Sequence, residues 1–428
     1  MNREKKTSES EAEKREVNRA LYSVCTLVKG LVTGSGIGVL VGLVCGIFGR
    51  LLIEANAFRV ENRWIVWLLP LAGLVIVFLY KFFRNTHDTG TNMVISSIHS
   101  STDIPLKMAP LIFVSTILTH LCGGSAGREG AAIQLGGSIS NAVGKVFKLN
   151  DNDQRIIIMS GISAGFAALF GTPMAAAIFA LEVISIGIMH YSALVSCVTA
   201  AMMARFVAQR FGVEPEFFPV AEVPAMDPAV FLKIVFFAAL AGGVSILFCI
   251  ILHSTEHLYK KHIKNQYVRI FLSGCLILLL TGLLGTDEYL GSGRMLIEEI
   301  FHTQKTGYFT FLIKMIFTAL TLGAGYKGGE IIPSFCIGAA FGCMAATVFG
   351  LPVSLVTACG MVGLFCGVTN CPITSLLISF ELFGFDGMPY YLVTVAVSYM
   401  LSGYYGLYRA QKIMYSKTET NFVNKAAH

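Results

Sequence analysis

Apolar residues dominate the chain in thirteen runs, near 31–56, 63–83, 104–123, 129–147, 154–170, 174–211, 229–254, 268–285, 308–325, 332–350, 353–368, 372–384 and 389–407. The longest read as membrane-spanning helices, since a crossing helix needs about 20 mainly apolar residues. Others fall short of that and are broken by Gly or Pro pairs, a pattern of transporters built from discontinuous helices. Polar sequence is confined to few places. Residues 1–20 carry Arg3, Lys5, Lys6, Lys14, Arg15 and Arg19 and no short basic segment leading into an apolar core and a cleavage site. They are therefore expected to form an amphipathic or disordered cytoplasmic tail rather than a signal peptide. Arg409, Lys412, Lys417 and Lys425 place the C-terminal end on the same side, so the number of crossings is expected to be even. Between Ala204 and Ala229, Pro215, Pro219, Pro224 and Pro228 mark a linker. The expected organisation is a tail (1–20), a first membrane repeat (21–203), the linker (204–229), a second membrane repeat (230–415) and a cytoplasmic C-terminal tail (416–428), all-α throughout.

Composition sharpens this reading. The chain has 428 residues, 54% hydrophobic and 14% charged, with a mean hydropathy of +0.68. Soluble domains carry about 25% charged residues, so a soluble enzyme is excluded. The 43 glycines suit close helix approach in lipid. Eleven cysteines lie scattered, mostly in apolar runs, without the spacing of a metal site or disulfide framework, and read as packing residues. His87, His99, His120 and His190 have no ligand spacing either, and Lys107 is expected to snorkel. The net charge of +6 bears on topology, not on nucleic acid. No phosphate-binding glycine loop is present, and no cofactor, metal or ATP use is expected.

One stretch carries chemistry. In Thr119–Ser140 an apolar run stops at Gly123-Gly124-Ser125, turns through Gly127-Arg128-Glu129-Gly130, and resumes with small residues. Irregular backbone at membrane depth must be buried in protein or line a wet cavity. An acid there is a functional candidate by default, and the helix that the turn opens offers free amides to an anion. The second half repeats the pattern. Gly328-Gly329-Glu330 again precedes a Gly-rich helix, and Glu129 and Glu330 stand 201 positions apart. Pro173 and Pro372, and likewise Glu182 and Glu381, stand 199 apart. Two marker sets at nearly one offset argue for an internal duplication, with the site at the interface of the repeats. The letters alone leave open whether the copies are inverted.

Together, Gly127-Arg128-Glu129-Gly130, the turn Gly328 to Pro333 and the Gly-Thr-Pro…Glu segment at 171–182 resemble the CLC anion channels and anion/proton antiporters over about residues 30–415. The resemblance implies an all-α, inverted-repeat membrane fold with broken and re-entrant helices, and a homodimer with one pore per subunit. It implies an anion site built from Gly90, Thr91, Asn92, Met93, Arg128, Gly130, Ile331, Ile332 and a C-terminal tyrosine, Tyr405 or Tyr408, with Glu129 as the gate. A bacterial inner membrane is expected, without the nucleotide-sensing tandem domains of many eukaryotic members. Departures from the chloride pattern point to one branch. Gly90-Thr91-Asn92-Met93-Val94 stands where chloride-type members read Gly-Ser-Gly-Ile-Pro, and it is similar to the fluoride/proton antiporters. Thr91 falls where chloride-type members place Ser. Val183 takes the place of the internal proton-transfer glutamate, while Glu330 occupies a position that is apolar in chloride members and is expected to be a second proton site or anion gate.

The expected function is thus proton-coupled fluoride export, with chloride/proton exchange or a passive chloride channel as the alternative. Plainer roles stand beside each residue. Glu129 could cap a helix, and Arg128 could hold the turn by buried pairing rather than raise the local potential. Glu330 could pair with Lys327, and Asn92 could be a turn residue. Glu182 and Glu381 are expected to anchor helix ends.

Overall fold

The computed structural model describes residues 2–85, 89–100 and 103–427, with side chains from residue 21 onward. His87 lies outside the described residues. The first half contributes eight helices: α1 (Asn2–Glu61), α2 (Leu69–Phe82), α3 (Thr91–Ser100), α4 (Met108–Leu121), α5 (Glu129–Val146), α6 (Asp151–Phe170), α7 (Pro173–Glu182) and α8 (Leu194–Gln209). The second half contributes eight more: α9 (Pro228–His262), α10 (Gln266–Leu284), α11 (Arg294–Thr303), α12 (Thr310–Ala324), α13 (Ile331–Phe349), α14 (Val353–Thr369), α15 (Pro372–Phe383) and α16 (Met388–Leu401). Among the described residues six segments are long and apolar enough to cross a membrane, three of them the 41-residue part of α1 from Leu21, the 35-residue α9 and the 19-residue α13. Six further apolar helices have only 10–17 residues. At 1.5 Å per residue they reach at most about 26 Å, short of a hydrocarbon core of roughly 30 Å. The outer surface is apolar, with Trp67, Leu279, Leu283 and Phe236 all exposed.

The halves are joined as inverted copies. Gly127 and Gly329 form an antiparallel bridge, each N–H donating to the other's carbonyl at 2.6 and 2.7 Å. Close helix crossings repeat as well. A Cβ on Gly136 of α5 would lie 1.9 Å from the Gly161 carbonyl oxygen of α6, and one on Gly338 of α13 would lie 2.4 Å from that of Gly360 of α14. Only glycine allows either approach. The short helices α7 and α15 cap each other. Glu182 accepts from the N–H groups of Ile373 (3.0 Å) and Thr374 (2.8 Å) and from the Thr374 hydroxyl (2.6 Å). Glu381 accepts from the N–H groups of Met174 (3.0 Å) and Ala175 (2.9 Å). Each carboxylate thus satisfies the orphan donors at the start of the other half's helix.

Four features differ from the sequence expectation. The backbone of the N-terminal stretch is helical from Asn2, continuous with the first span. The run 174–211 breaks into α7, a two-residue strand β1 (Ser185–Ile186), a 3-10 turn and α8. The short, polar-rich helices α3 and α11 fall outside the apolar runs. The C-terminal end is not a plain tail: β2 (Lys412–Tyr415) pairs parallel with β1, and β3 (Phe422–Ala426) pairs antiparallel with β2. Lys107 donates to the carbonyls of Phe83 (3.0 Å) and Arg84 (2.8 Å), closing the end of α2.

Candidate functional site

The first glutamate turn begins where α4 runs out. Gly123, at φ +84°, reverses the chain, and Gly124 N–H returns to the Thr119 carbonyl at 2.8 Å. The second half then grips the turn. Ser125 N–H donates to Thr321 Oγ1 (3.1 Å), and the Ser125 hydroxyl meets that of Thr318 (3.0 Å), both on α12. His120 Nε2 lies 3.2 Å from the Gly127 carbonyl oxygen. At the bridge itself a Cβ on Gly329 would sit 2.5 Å from the Gly130 nitrogen. Side chains are excluded there so that the two turns can meet.

Glu129 is the first residue of α5 and is fully buried. Its Oε2 accepts from the Arg128 N–H at 3.1 Å, while Oε1 has no hydrogen-bond partner. Arg128 Nε lies 3.4 Å from that Oε1. The rest of the Arg128 guanidinium is directed away, to the Leu169 carbonyl (3.0 Å) and to Glu216 Oε1 (2.9 Å). Glu216 is buried and also lies 3.6 Å from Arg294 Nε. This acid from the linker is a residue that sequence reasoning missed. Nothing in its neighbourhood of prolines and exposed positions distinguishes it from Glu214 two residues earlier.

Glu330 stands in the capping position before α13, and its buried Oε2 also has no hydrogen-bond partner. Lys327 lies over the Tyr80 ring, 4.3 Å from its centroid. A Cβ on Gly130 would be 3.4 Å from both Glu330 Oε2 and Thr91 Oγ1, so those two oxygens flank Gly130. Thr91 opens α3 after Gly90, which takes φ +64°. Gln134, one turn into α5 from Gly130, donates to Thr91 Oγ1 at 3.4 Å. Ile331 and Ile332 are buried in the first turn of α13, where backbone amides lack intrahelical acceptors. Met93 is half-buried and its N–H is used by the Gly90 carbonyl at 3.0 Å.

The chain after α16 completes the enclosure. Asn92 Oδ1 accepts from Ala410 N–H at 2.9 Å. With its oxygen occupied, the amide presents its NH2 end to any further partner. Tyr408 is buried and its hydroxyl has no hydrogen-bond partner, whereas Tyr405 is 37% exposed. The loop is held by Leu407 N–H to the Val368 carbonyl (2.8 Å) and by Gln411 to the Thr369 carbonyl (2.8 Å). Lys417 reaches back from the end of β2 to Asn370, the Tyr399 carbonyl (3.0 Å) and Ser402 Oγ (2.9 Å). A cavity of about 620 Å³ is lined by Gly90, Thr91, Asn92, Gln134, Glu330 and Tyr408, among others, and Glu129 is not part of its wall. The geometry therefore gathers Gly90, Thr91, Asn92 and Glu330 with Tyr408 around one space and sets Glu129 and Arg128 beyond the glycine bridge.

Two opposed helix starts, each with a buried acid carrying an oxygen that has no hydrogen-bond partner, can hold an anion or a proton. No group of His, Cys, Asp and Glu among the described residues has the arrangement of a metal site. The chain as a whole is similar to known proteins. A protein of Pseudomonas syringae pv. tomato described as a chloride/fluoride channel protein is 36% identical over 398 residues, covering 91% of this chain and 88% of its own. The crystal structure of a CLC-type fluoride/proton antiporter matches with a TM-score of 0.87 at 35% identity, covering 90% of this chain and 98% of that one. That of a slow cyanobacterial chloride/proton antiporter matches in fold with a TM-score of 0.76 at 21% identity, covering 87% and 94%. The sequence profile of the family described as voltage gated chloride channel matches residues 72–403, and the chain belongs to this family, the CLC family.

Proposed function

We propose that the protein is a secondary active fluoride/proton antiporter that exports fluoride on an inward proton gradient. We read it as a homodimer with one pore per subunit, in a cell inner membrane, with both termini cytoplasmic. The observation that carries the reading is the pair Glu129 and Glu330, each at a helix start, joined through the Gly127–Gly329 bridge, and each with a buried oxygen that has no hydrogen-bond partner.

Ionised, Glu129 serves as an internal anion at the start of α5, and the amides there favour negative charge. Protonated, it loses that attraction, leaves, and gives the place to a solute anion. Proton and anion binding are then linked free energies, and a full cycle moves the two in opposite directions. Glu330 supplies the second protonatable group on the cavity side, since Val183, after α7, can carry no proton. Fluoride holds its water tightly, so its dehydration must be met by fixed donors. Asn92 offers two from its NH2 end, Thr91 a hydroxyl, and Tyr408 an unpartnered phenol. The fluoride/proton antiporter that superposes on this chain, and the Asn92 and Val94 departures from the chloride pattern, support fluoride over chloride. The Thr91 hydroxyl, in the place of the chloride-type Ser, favours the second reading, chloride/proton exchange or a chloride channel.

Efflux from proteoliposomes loaded with both halides, followed by fluoride and chloride electrodes, tests the selectivity. Fluoride is expected to leave at least about tenfold faster, a preference worth 1.4 kcal/mol or more in the barrier. Equal rates reject fluoride as the cargo.

A further inference from the structure

The cavity that ends on Glu330 has a second carboxylate in its wall, Glu256 on α9. Glu256 is one-third exposed, beside the more exposed Lys260 and Arg409, so this is the solvent-open end, whereas Glu330 Oε2 is buried. Every other charged group described in the wall is cationic: Lys260 from α9, Arg269 from α10, Lys327 from the turn before α13, and Arg409 from the loop after α16. Glu256 pairs with Lys260 one turn on and lies 3.8 Å from Arg409 Nη2. His253, one turn back, is turned to the Gly406 carbonyl at 2.9 Å. Arg269 donates to the Ala324 carbonyl at the end of α12 (3.1 Å).

A ring of cations suits an anion, but it does nothing for a proton on its way from Glu330. The acid on the α7 side offers no alternative. Glu182 is committed to the start of α15 through three hydrogen bonds, and its neighbour is Val183. The cavity volume of about 620 Å³ has room for many waters at roughly 30 Å³ each. We propose that Glu256 is the proton-relay acid of this transporter, passing protons between bulk solvent and Glu330. In the export direction a proton on Glu330 Oε2 moves along cavity water to a Glu256 carboxylate oxygen, and Glu256 gives it to solvent water as hydronium and returns to carboxylate. Only O–H bonds form and break. Lys260 and Arg409 hold the carboxylate at the solvent end, and the cation ring leaves the same space open to the outgoing halide.

This inference rests on the antiport reading above, and the test separates the two. In proteoliposomes under a proton gradient, E256Q is expected to slow proton-coupled fluoride efflux at least about tenfold, as loss of a proton-transfer group does. E256D is expected to restore most of the rate, and the E256Q deficit is expected to shrink as pH is raised on the cavity side, where hydroxide takes the proton without a relay. In an E129Q background, where anion movement no longer waits on protons, adding E256Q should leave fluoride flux unchanged. If E129Q passes no fluoride, calorimetric titration with sodium fluoride replaces that arm: unchanged affinity in E256Q supports a relay, and lost affinity overturns it. Coupled exchange at the wild-type rate in E256Q overturns the relay, as does equal slowing of the uncoupled flux, which would make Glu256 part of the anion path. Wild-type protein that moves fluoride without protons rejects the antiport reading itself.

Discussion

For Arg128 the letters leave two readings side by side, an anion contact and a buried pairing that holds the turn. Its Nη2 is bound to the Leu169 carbonyl and to Glu216 from the linker, which is the pairing. Both partners are distant in sequence, so no local pattern reveals them. Glu129 and Glu330 were legible because an acid within apolar sequence needs a reason. Asn92 was legible as a departure from the chloride pattern, but its orientation was not, since that depends on Ala410 more than 300 residues away. The Arg128–Glu216 pair yields a prediction at this scale. E216A removes the carboxylate closest to Arg128 and leaves the buried charge only the longer 3.4 Å approach of Glu129, which costs up to about 3–5 kcal/mol. Thermal unfolding in detergent is expected to show a clear drop in melting temperature, and an unchanged midpoint would mean that Arg128 finds another acceptor.

Elements were legible where periodicity or composition gave a signal. The long apolar spans and the paired markers at 173 and 372 are examples. Helices α3 and α11 were lost because they are short and polar enough to resemble loops. The strands β1, β2 and β3 were lost because a three-stranded sheet formed between residues 185 and 412–426 leaves no local trace. Its consequence is direct: β2 and Lys417 fix the end of the loop that carries Tyr408 into the cavity. The mutual caps of α7 and α15 fit the helix-end anchoring expected of Glu182 and Glu381. Charge-assisted hydrogen bonds contribute about 1.5–3 kcal/mol each. E182A leaves three buried or half-buried donors unmet and E381A one half-buried and one exposed, so both variants are expected to melt lower, E182A by the larger margin. E381A melting below E182A would contradict this accounting.

Across the whole molecule, the duplication read from equal spacings becomes a physical object at the Gly127–Gly329 bridge. Beside that bridge the halves also stack aromatic rings. Phe170 of α6 lies 5.5 Å from Phe335 of α13, and Phe335 lies 4.9 Å from Phe365 of α14. Such pairs add about 0.5–1.5 kcal/mol each beyond their burial, so the site is built on a rigid seam while each of the two carboxyl groups keeps one oxygen without a hydrogen-bond partner. In the proposed cycle that contrast is the basis of coupling: fixed amides and movable acids. The inverted relation could not be read from spacing, because it depends on chain direction in space. The most direct test imposes an inward fluoride gradient on proteoliposomes at uniform pH and records internal pH. Fluoride influx is expected to drive protons out and raise internal pH in the wild-type protein, to leave pH unmoved in E129Q, and to do so only slowly in E330Q. Proton movement that survives in E129Q, or fluoride influx without any pH change in the wild type, would contradict the account.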